Sequence, residues 1–323
     1  YIYMKEKEIL LFGASGQIGR NLIRKLAKRN YKVTAVTRNY HQKAYILKTQ
    51  ANPGYLEMVE LKSFNYDNIK HLLQNCEKVI NLVGILFEKK NNEFNKIHTI
   101  FPHMLSEISR NNKIQQFVHI SSLGIDDAKD SKYAISKFEG EKRVRENFEK
   151  AVILKPSIVY SVDDNFTTRF MALLNQTPIV PLYYGGRTKF APIHVSDFSN
   201  IIFNIVDQNI QNLTLECIGP EILSFKDIIK QLLNSINKKR LLVPFSLSLA
   251  KLSAAILQML PNPLLTKDQL KLLKYDNIPS GKFQTNIDLG FEANKKFKNE
   301  IEKYSFNWRT GGQFSKNINS STS

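Results

Sequence analysis

The chain has 323 residues, 42% of them apolar and 23% charged, which excludes wholesale disorder and is long enough for one large domain or two of ordinary size. Lys and Arg outnumber Asp and Glu by 46 to 29, a formal net charge of +17 that points to an anionic partner: a phosphate-bearing cofactor, an acidic membrane surface or nucleic acid. Two cysteines, Cys76 and Cys217, exclude a disulfide framework and a four-cysteine zinc site and make a reduced compartment the expectation.

Taken in chain order, the start carries no apolar run of signal-peptide length behind a basic stretch, and Met4 is a candidate initiator. Residues 9–12 are an apolar run ending at glycine and predict a buried strand. A helix is predicted over 21–29, with Leu22, Ile23 and Leu26 on one side, then a second strand over 32–37 and a third over 56–61. Helix 69–73, strand 78–82, helix 98–110, strand 116–120, helix 133–148 and strand 151–154 follow. This alternation predicts an α/β fold: a parallel sheet covered by helices on both faces. After Pro156 the pattern loosens, with helices predicted over 225–237, 245–260 and 266–274. Residues 311–323 are Gly-, Ser- and Asn-rich and read as a disordered tail. The expected organisation is a cofactor domain over 4–160, completed by about 190–220, and a smaller, mostly helical region over 161–190 and 221–310. The stretch 241–260 is the most apolar, but Lys251, Gln258 and its serines exclude a spanning helix.

The loop Gly13-Ala14-Ser15-Gly16-Gln17-Ile18-Gly19 stands between the first strand and the first helix. Gly13 permits a tight turn, Gly16 lets the backbone approach a pyrophosphate, and Gly19 lets helix pack on strand. The helix N-terminus then offers free N–H groups and positive charge to the phosphates. The second strand ends Val36-Thr37-Arg38 with no acid to take a ribose 2′-hydroxyl. Arg38 suits a 2′-phosphate, with Arg20 assisting, so NADP(H) is preferred and NAD(H) remains open.

Tyr133 and Lys137, four apart at the start of a helix, face one side. A tyrosine works as an acid or base near neutral pH only when a neighbouring cation favours its phenolate, and Lys137 supplies that charge and a hold on a ribose hydroxyl. Ser122, at the carboxyl end of the fifth strand, lies where parallel sheets place ligands and is read as a donor to a substrate oxygen. The catalytic candidates are therefore Ser122, Tyr133 and Lys137.

On the GxxGxxG loop and the YxxxK pair the chain resembles the extended or atypical short-chain dehydrogenase/reductase superfamily, with its Rossmann-type doubly wound sheet. Narrower strings cover residues 79–86, 119–122, 136–141, 154–159, 191–197 and 264–270. They resemble the nucleotide-binding accessory subunits of respiratory complex I (alpha subcomplex subunit 9 and bacterial relatives). The likeness runs over roughly 7–304. It implies a tightly held NADP(H) bound by Gly13, Ser15, Gly16, Gln17, Ile18, Gly19, Arg38, Val83, Gly84, Tyr133, Lys137 and Pro156. It also implies a structural role for the cofactor, partners in a respiratory complex or an anionic membrane, links to quinone metabolism, and a cytoplasmic place on the inner membrane face (the matrix side in a eukaryote). One departure stands out. Ser122 fills a position where the complex I subunit has another residue, so dormancy does not carry over. Ser122 is only eleven residues before Tyr133, shorter than in sugar-nucleotide epimerases, which argues against that substrate class.

In the C-terminal region Phe245, Leu249, Leu252, Ile256, Met259 and Leu260 recur at helical spacing, with Lys251 and Gln258 opposite. This stripe is expected to pack on its own domain. The alternative is a face for a membrane or partner, helped by Lys238, Lys239 and Arg240. His194 is read as lining the cleft or as a satisfied structural histidine. Lys295, Lys296 and Lys298 read as a solvated face, and no nucleic-acid or metal-binding pattern accompanies them. Three functions are compatible: an NADP(H)-binding accessory or assembly factor of a respiratory complex, a working oxidoreductase on a lipid-like or quinone-precursor substrate, and a redox sensor without chemistry.

Overall fold

The computed structural model describes residues 8–258, 263 and 265–312. The first half alternates as expected: β1 (Glu8–Phe12), α1 (Gln17–Lys28), β2 (Lys32–Thr37), α2 (Tyr40–Lys48), β3 (Leu56–Glu60), α3 (Tyr66–Leu73) and β4 (Lys78–Asn81). A π-helical turn (Asn95–Ile100) runs into α4 (Phe101–Asn111), then come β5 (Gln116–Ile120), α5 (Lys132–Asn147) and β6 (Val152–Pro156). Next are β7 (Val159–Tyr160), α6 (Thr167–Gln176), β8 (Ile179–Leu182), β9 (Lys189–Phe190), β10 (Ile193–His194) and α7 (Val195–Asp207). The last described elements are β11 (Leu213–Cys217), β12 (Leu223–Ser224), α8 (Phe225–Ser235), β13 (Leu241–Pro244), α9 (Leu247–Leu257), α10 (Lys267–Leu272), β14 (Gln284–Thr285) and α11 (Phe297–Glu302).

Eight strands form one sheet in the order β14-β11-β6-β5-β4-β1-β2-β3. Every pairing in it is parallel. β1 shows why its sequence is apolar throughout: Ile9 and Leu11 join the core on one face, Leu10 and Phe12 the core on the other. Leu22, Ile23 and Leu26 of α1 meet Ile201, Ile202 and Ile205 of α7 on the first face. Leu105 and Ile108 of α4 and Val144 of α5 cover the second. The strand order reverses between β1 and β4, so the connections leave in opposite directions and open a crevice at the carboxyl ends. A separate core joins α6, α8 and α11 through residues such as Met171, Ile229 and Phe297.

Several elements depart from expectation. α1 starts at Gln17, not residue 21, because the phosphate loop passes straight into its first turn. α2 was not foreseen; Leu47 is its one buried residue, so its sequence shows no apolar period. The helix expected from His98 begins as the π-helical turn. The stripe on α9 does not pack inward. Ala250 and Ala254 are its buried residues, while Leu249, Leu252 and Ile256 are 52%, 60% and 61% exposed. Small residues let the helix approach Tyr183, Leu265 and Leu270, and the large ones are left outside. The rest of the stripe, Met259 and Leu260, and the tail residues 313–323 lie outside the described residues. Among the described residues no helix is long and apolar enough to cross a membrane.

Candidate functional site

The turn after β1 is fixed by sterics. Gly13 has φ +78°, and a Cβ there would sit 3.0 Å from the backbone carbon of Leu82, at the end of the neighbouring strand β4. A Cβ on Gly19 would fall 2.5 Å from the carbonyl oxygen of Ala14, so α1 lies this close to the loop only because that side chain is absent. Gly16 caps α1 without a side chain, and the first turn holds no acid. The positive end of α1 therefore faces the crevice open to an anion.

Two cavities meet above this turn. One, of about 210 Å³, is lined by Gly13, Ser15, Gly16, Arg38, Val83 and Gly84, among others. The other, of about 370 Å³, is lined by Gln17, Ile18, Gly84, Ser122, Tyr133, Lys137 and Pro156 among its walls. Leu82 and Gly84 border both. The fold thus gathers eleven of the twelve residues expected at the cofactor, and Ser122, around one continuous cleft. Gly19 borders neither cavity and acts by letting the helix pack. Together the cradle a Cβ would fill, the open helix end and a cleft with one cation near each end fit an elongated, diphosphate-bearing dinucleotide.

Two expected roles change. Arg20 donates to the carbonyl of Ser15 at 2.6 Å and is ion-paired with Asp163, so it is already engaged. His194 does not line the cleft. It caps α7 by accepting the Ser196 N–H at 3.3 Å, and it meets Tyr160 edge-on.

The chemistry of the second cavity is set by burial. Lys137 donates to the carbonyl of Ile120 at 3.1 Å, and burial pulls its ammonium down to about 8 against the opposing charge of Glu141. Tyr133 is pushed up by burial, opposed by its hydrogen bond with Ser122. Tyr133 is accordingly a neutral phenol. Asp268 fixes its position, accepting from the Ser131 hydroxyl at 2.8 Å and from the backbone N–H groups of Lys132 and Tyr133 at 2.8 and 3.0 Å.

Sequence reasoning missed three polar residues behind this wall. His98 accepts the Ile85 N–H at Nε2 (3.1 Å), so its proton is on Nδ1, which faces Ser136 at 2.9 Å. Its ring meets Tyr133 edge-on at 5.2 Å. Gly140 permits this packing, since a Cβ there would lie 1.9 Å from the His98 carbonyl oxygen. Asn81 accepts the Val83 N–H at 3.0 Å and faces His119 Nδ1 at 3.2 Å. Asn81 and His119 are partners in the parallel register, and two polar residues near the carboxyl ends of adjacent strands were a usable signal. Together these groups fix the backbone at Val83 and Ile85, on either side of Gly84.

Burial, then the charge of Lys137, holds His98 down at about 2 and His119 at about 3. Both stay neutral in the folded chain, whereas the unfolded chain protonates them near 6.5. As pH falls below that value the unfolded state binds protons the folded state refuses, and stability drops. The expected slope is about 1.4 kcal/mol per pH unit per histidine down to roughly pH 3. Urea unfolding at pH 7, 6 and 5 checks it for the wild type and His119→Asn. The substitution is expected to flatten the slope by about one histidine's share; equal slopes would show that His119 is not held neutral.

Residues 9–214 match the family model described as NAD dependent epimerase/dehydratase family. The mitochondrial NADH-ubiquinone oxidoreductase 40 kDa subunit of Neurospora crassa is 25% identical over 284 residues, 87% of this chain and 74% of that protein. The mitochondrial NADH dehydrogenase [ubiquinone] 1 alpha subcomplex subunit 9 of Mus musculus is 26% identical over 87% of this chain and 75% of its own. A ceramide reductase of Caulobacter vibrioides is 26% identical over 58% of this chain and 57% of its own. In fold, the crystal structure of dTDP-glucose 4,6-dehydratase from Bacillus anthracis in complex with NAD matches 94% of this chain and 96% of that one, with a TM-score of 0.67 at 14% identity. With the phosphate cradle at the β1–β4 switch point and a match spanning more than half its length, the chain belongs to the NAD dependent epimerase/dehydratase family and carries its NAD(P)-binding domain.

Proposed function

We propose that this chain is an NADP(H)-binding accessory or assembly factor of a respiratory complex of the NADH:ubiquinone oxidoreductase type, seated on the inner membrane face. The observation that carries this reading is the extent of the likeness. The two complex I subunits align over 284 and 286 residues, more than the window of the family model spans, so the resemblance includes the region beyond the cofactor domain. The outward stripe of α9 supports it. Leu249, Leu252 and Ile256 are exposed, Lys251 is exposed on the same helix, and the exposed Lys239 precedes the element that leads to them. An apolar face flanked by cations is suited to the boundary of an anionic bilayer or to a membrane-bound partner.

The preference for NADP(H) rests on Arg38. Its side chain borders the smaller cavity beside Ser15 and Thr37, and no acid stands between Val36 and Asn39. A charge-assisted pair with a 2′-phosphate is the natural use of that position.

A second reading is favoured by one contact, the hydrogen bond of Ser122 with Tyr133. A bound nicotinamide supplies or accepts hydride. On this chain's side, Ser122 would donate to a carbonyl oxygen and Tyr133 would give that oxygen its proton. Lys137 would stabilise the phenolate left behind. The ceramide reductase relative makes a lipid-like carbonyl a reasonable substrate class.

Three measurements separate these readings. In calorimetry Arg38→Ala is expected to weaken NADPH about tenfold and leave NADH unchanged; equal losses for both would remove the 2′-phosphate assignment. In co-sedimentation with vesicles containing anionic lipid, the double variant Leu252→Ser, Ile256→Ser is expected to lose most of its bound fraction. Undiminished binding would take α9 out of the membrane role. With a carbonyl lipid and NADPH, Tyr133→Phe lowers turnover by roughly 100-fold or more if the second reading holds. Cellular function intact in Tyr133→Phe leaves the accessory role in place and removes the catalytic one.

A further inference from the structure

A second space lies beside the cofactor cleft, between α6, β8 and α9, with a volume of about 270 Å³. Phe170, Leu173, Val180, Ile256, Leu265 and Leu273 are among its walls, and no charged side chain of the described residues lines it. Its hydroxyls are already engaged. Thr177 donates to the Leu173 carbonyl at 3.0 Å, Ser253 to the Ala250 carbonyl at 2.9 Å, and Tyr183 to Ser253 at 3.2 Å. Water there would find few partners.

The cavity shares a wall with the cofactor cleft on one side and opens to the surface on the other. Leu273 also lines the cleft that holds Ser122 and Tyr133. Phe166 of that cleft packs edge-on against Phe170 of the apolar space, with ring centroids 5.0 Å apart. At the far end Ile179 and Ile256 are 50% and 61% exposed, so the space opens beside the outward face of α9.

We infer that this cavity holds the aliphatic chain of a membrane lipid, its polar end directed across Leu273 toward Ser122 and Tyr133. A chain of methylenes asks nothing of walls whose hydrogen bonds are complete. A peptide or a nucleotide would strand polar groups there. Entry beside α9 lets the chain pass from bilayer to cavity without crossing water. The assignment of the tail site stands on the cavity alone; that of the head rests on the proposed reading of Ser122 and Tyr133.

The test is calorimetric titration of the purified full chain with straight-chain alcohols from hexanol to decanol, with NADPH titrated in parallel. Affinity is expected to rise about fourfold per added methylene and then to level off once the cavity is filled. Ser253→Phe and Thr177→Phe, from opposite walls, should each lower alcohol affinity by about tenfold or more while NADPH binding stays as it was. The proposal is overturned by absent saturable binding, by a rise without a plateau (the mark of surface adsorption), or by equal binding in the filled variants that keep NADPH. Alcohol binding that persists without NADPH binding supports the chain site and sinks only the cofactor reading.

Discussion

The contact on which this fold depends is backbone against backbone: the first turn of α1 rests on the loop beneath it, and that loop rests on the end of β4. Two glycines make it possible. With a Cβ at Gly13 the loop would be pushed off Leu82, and with one at Gly19 the helix would be pushed off Ala14. Either shift would move the helix end out of the crevice where the sheet reverses. The N–H groups of the opening turn can be left without protein partners because an anion is meant to take them. The phosphate cradle is thus a consequence of how strand and helix must pack, and the cleft on either side of Gly84 follows from it.

A second constraint shapes the reactive wall. α5 approaches the π-helical turn closely enough at Gly140 to bring His98 against Ser136 and Tyr133. Below it, Lys155 is fully buried and pairs with Asp126 at 2.6 Å and Glu141 at 3.3 Å. Removing Lys155 would leave the largely buried Glu141 without its cation, which costs far more than the pair contributes. Glu141 is one turn beyond Lys137 on the same helix. Its carboxyl is pushed up by burial and held back first by Lys155, and it in turn favours the ammonium of Lys137. Lys155 is thus linked to Lys137 through Glu141, under the helix that carries Tyr133.

The sheet was legible in the sequence because buried parallel strands are apolar on both faces, and β1, β2 and β5 have no other way to be built. The cradle was legible because glycine spacing records close approach. What could not be read was anything decided between distant segments. Asp268 orders the start of α5 across 135 positions of sequence to Tyr133, and nothing local marks it as a cap for another helix. α2 was invisible because one buried leucine makes no period. The α9 stripe was seen, but its direction was not. Amphipathic spacing says which residues share a face, and only the pairing of Ala250 and Ala254 with Tyr183 and Leu265 says which face turns inward. Arg20 was misjudged for the same reason, since its partner Asp163 lies far along the chain.

The charge of the chain acquires a different meaning once these positions are known. Among the described residues, Arg38 and Lys137 are the basic ones that border the two cofactor cavities, and Lys137 is bound to a backbone carbonyl. A dinucleotide diphosphate is met mainly by the helix end and the loop backbone, which carry no formal charge. The excess of +17 is therefore spent elsewhere, on the outer surface. The same distribution that leaves the cleft poor in formal charge places the positive excess on the outside of the molecule.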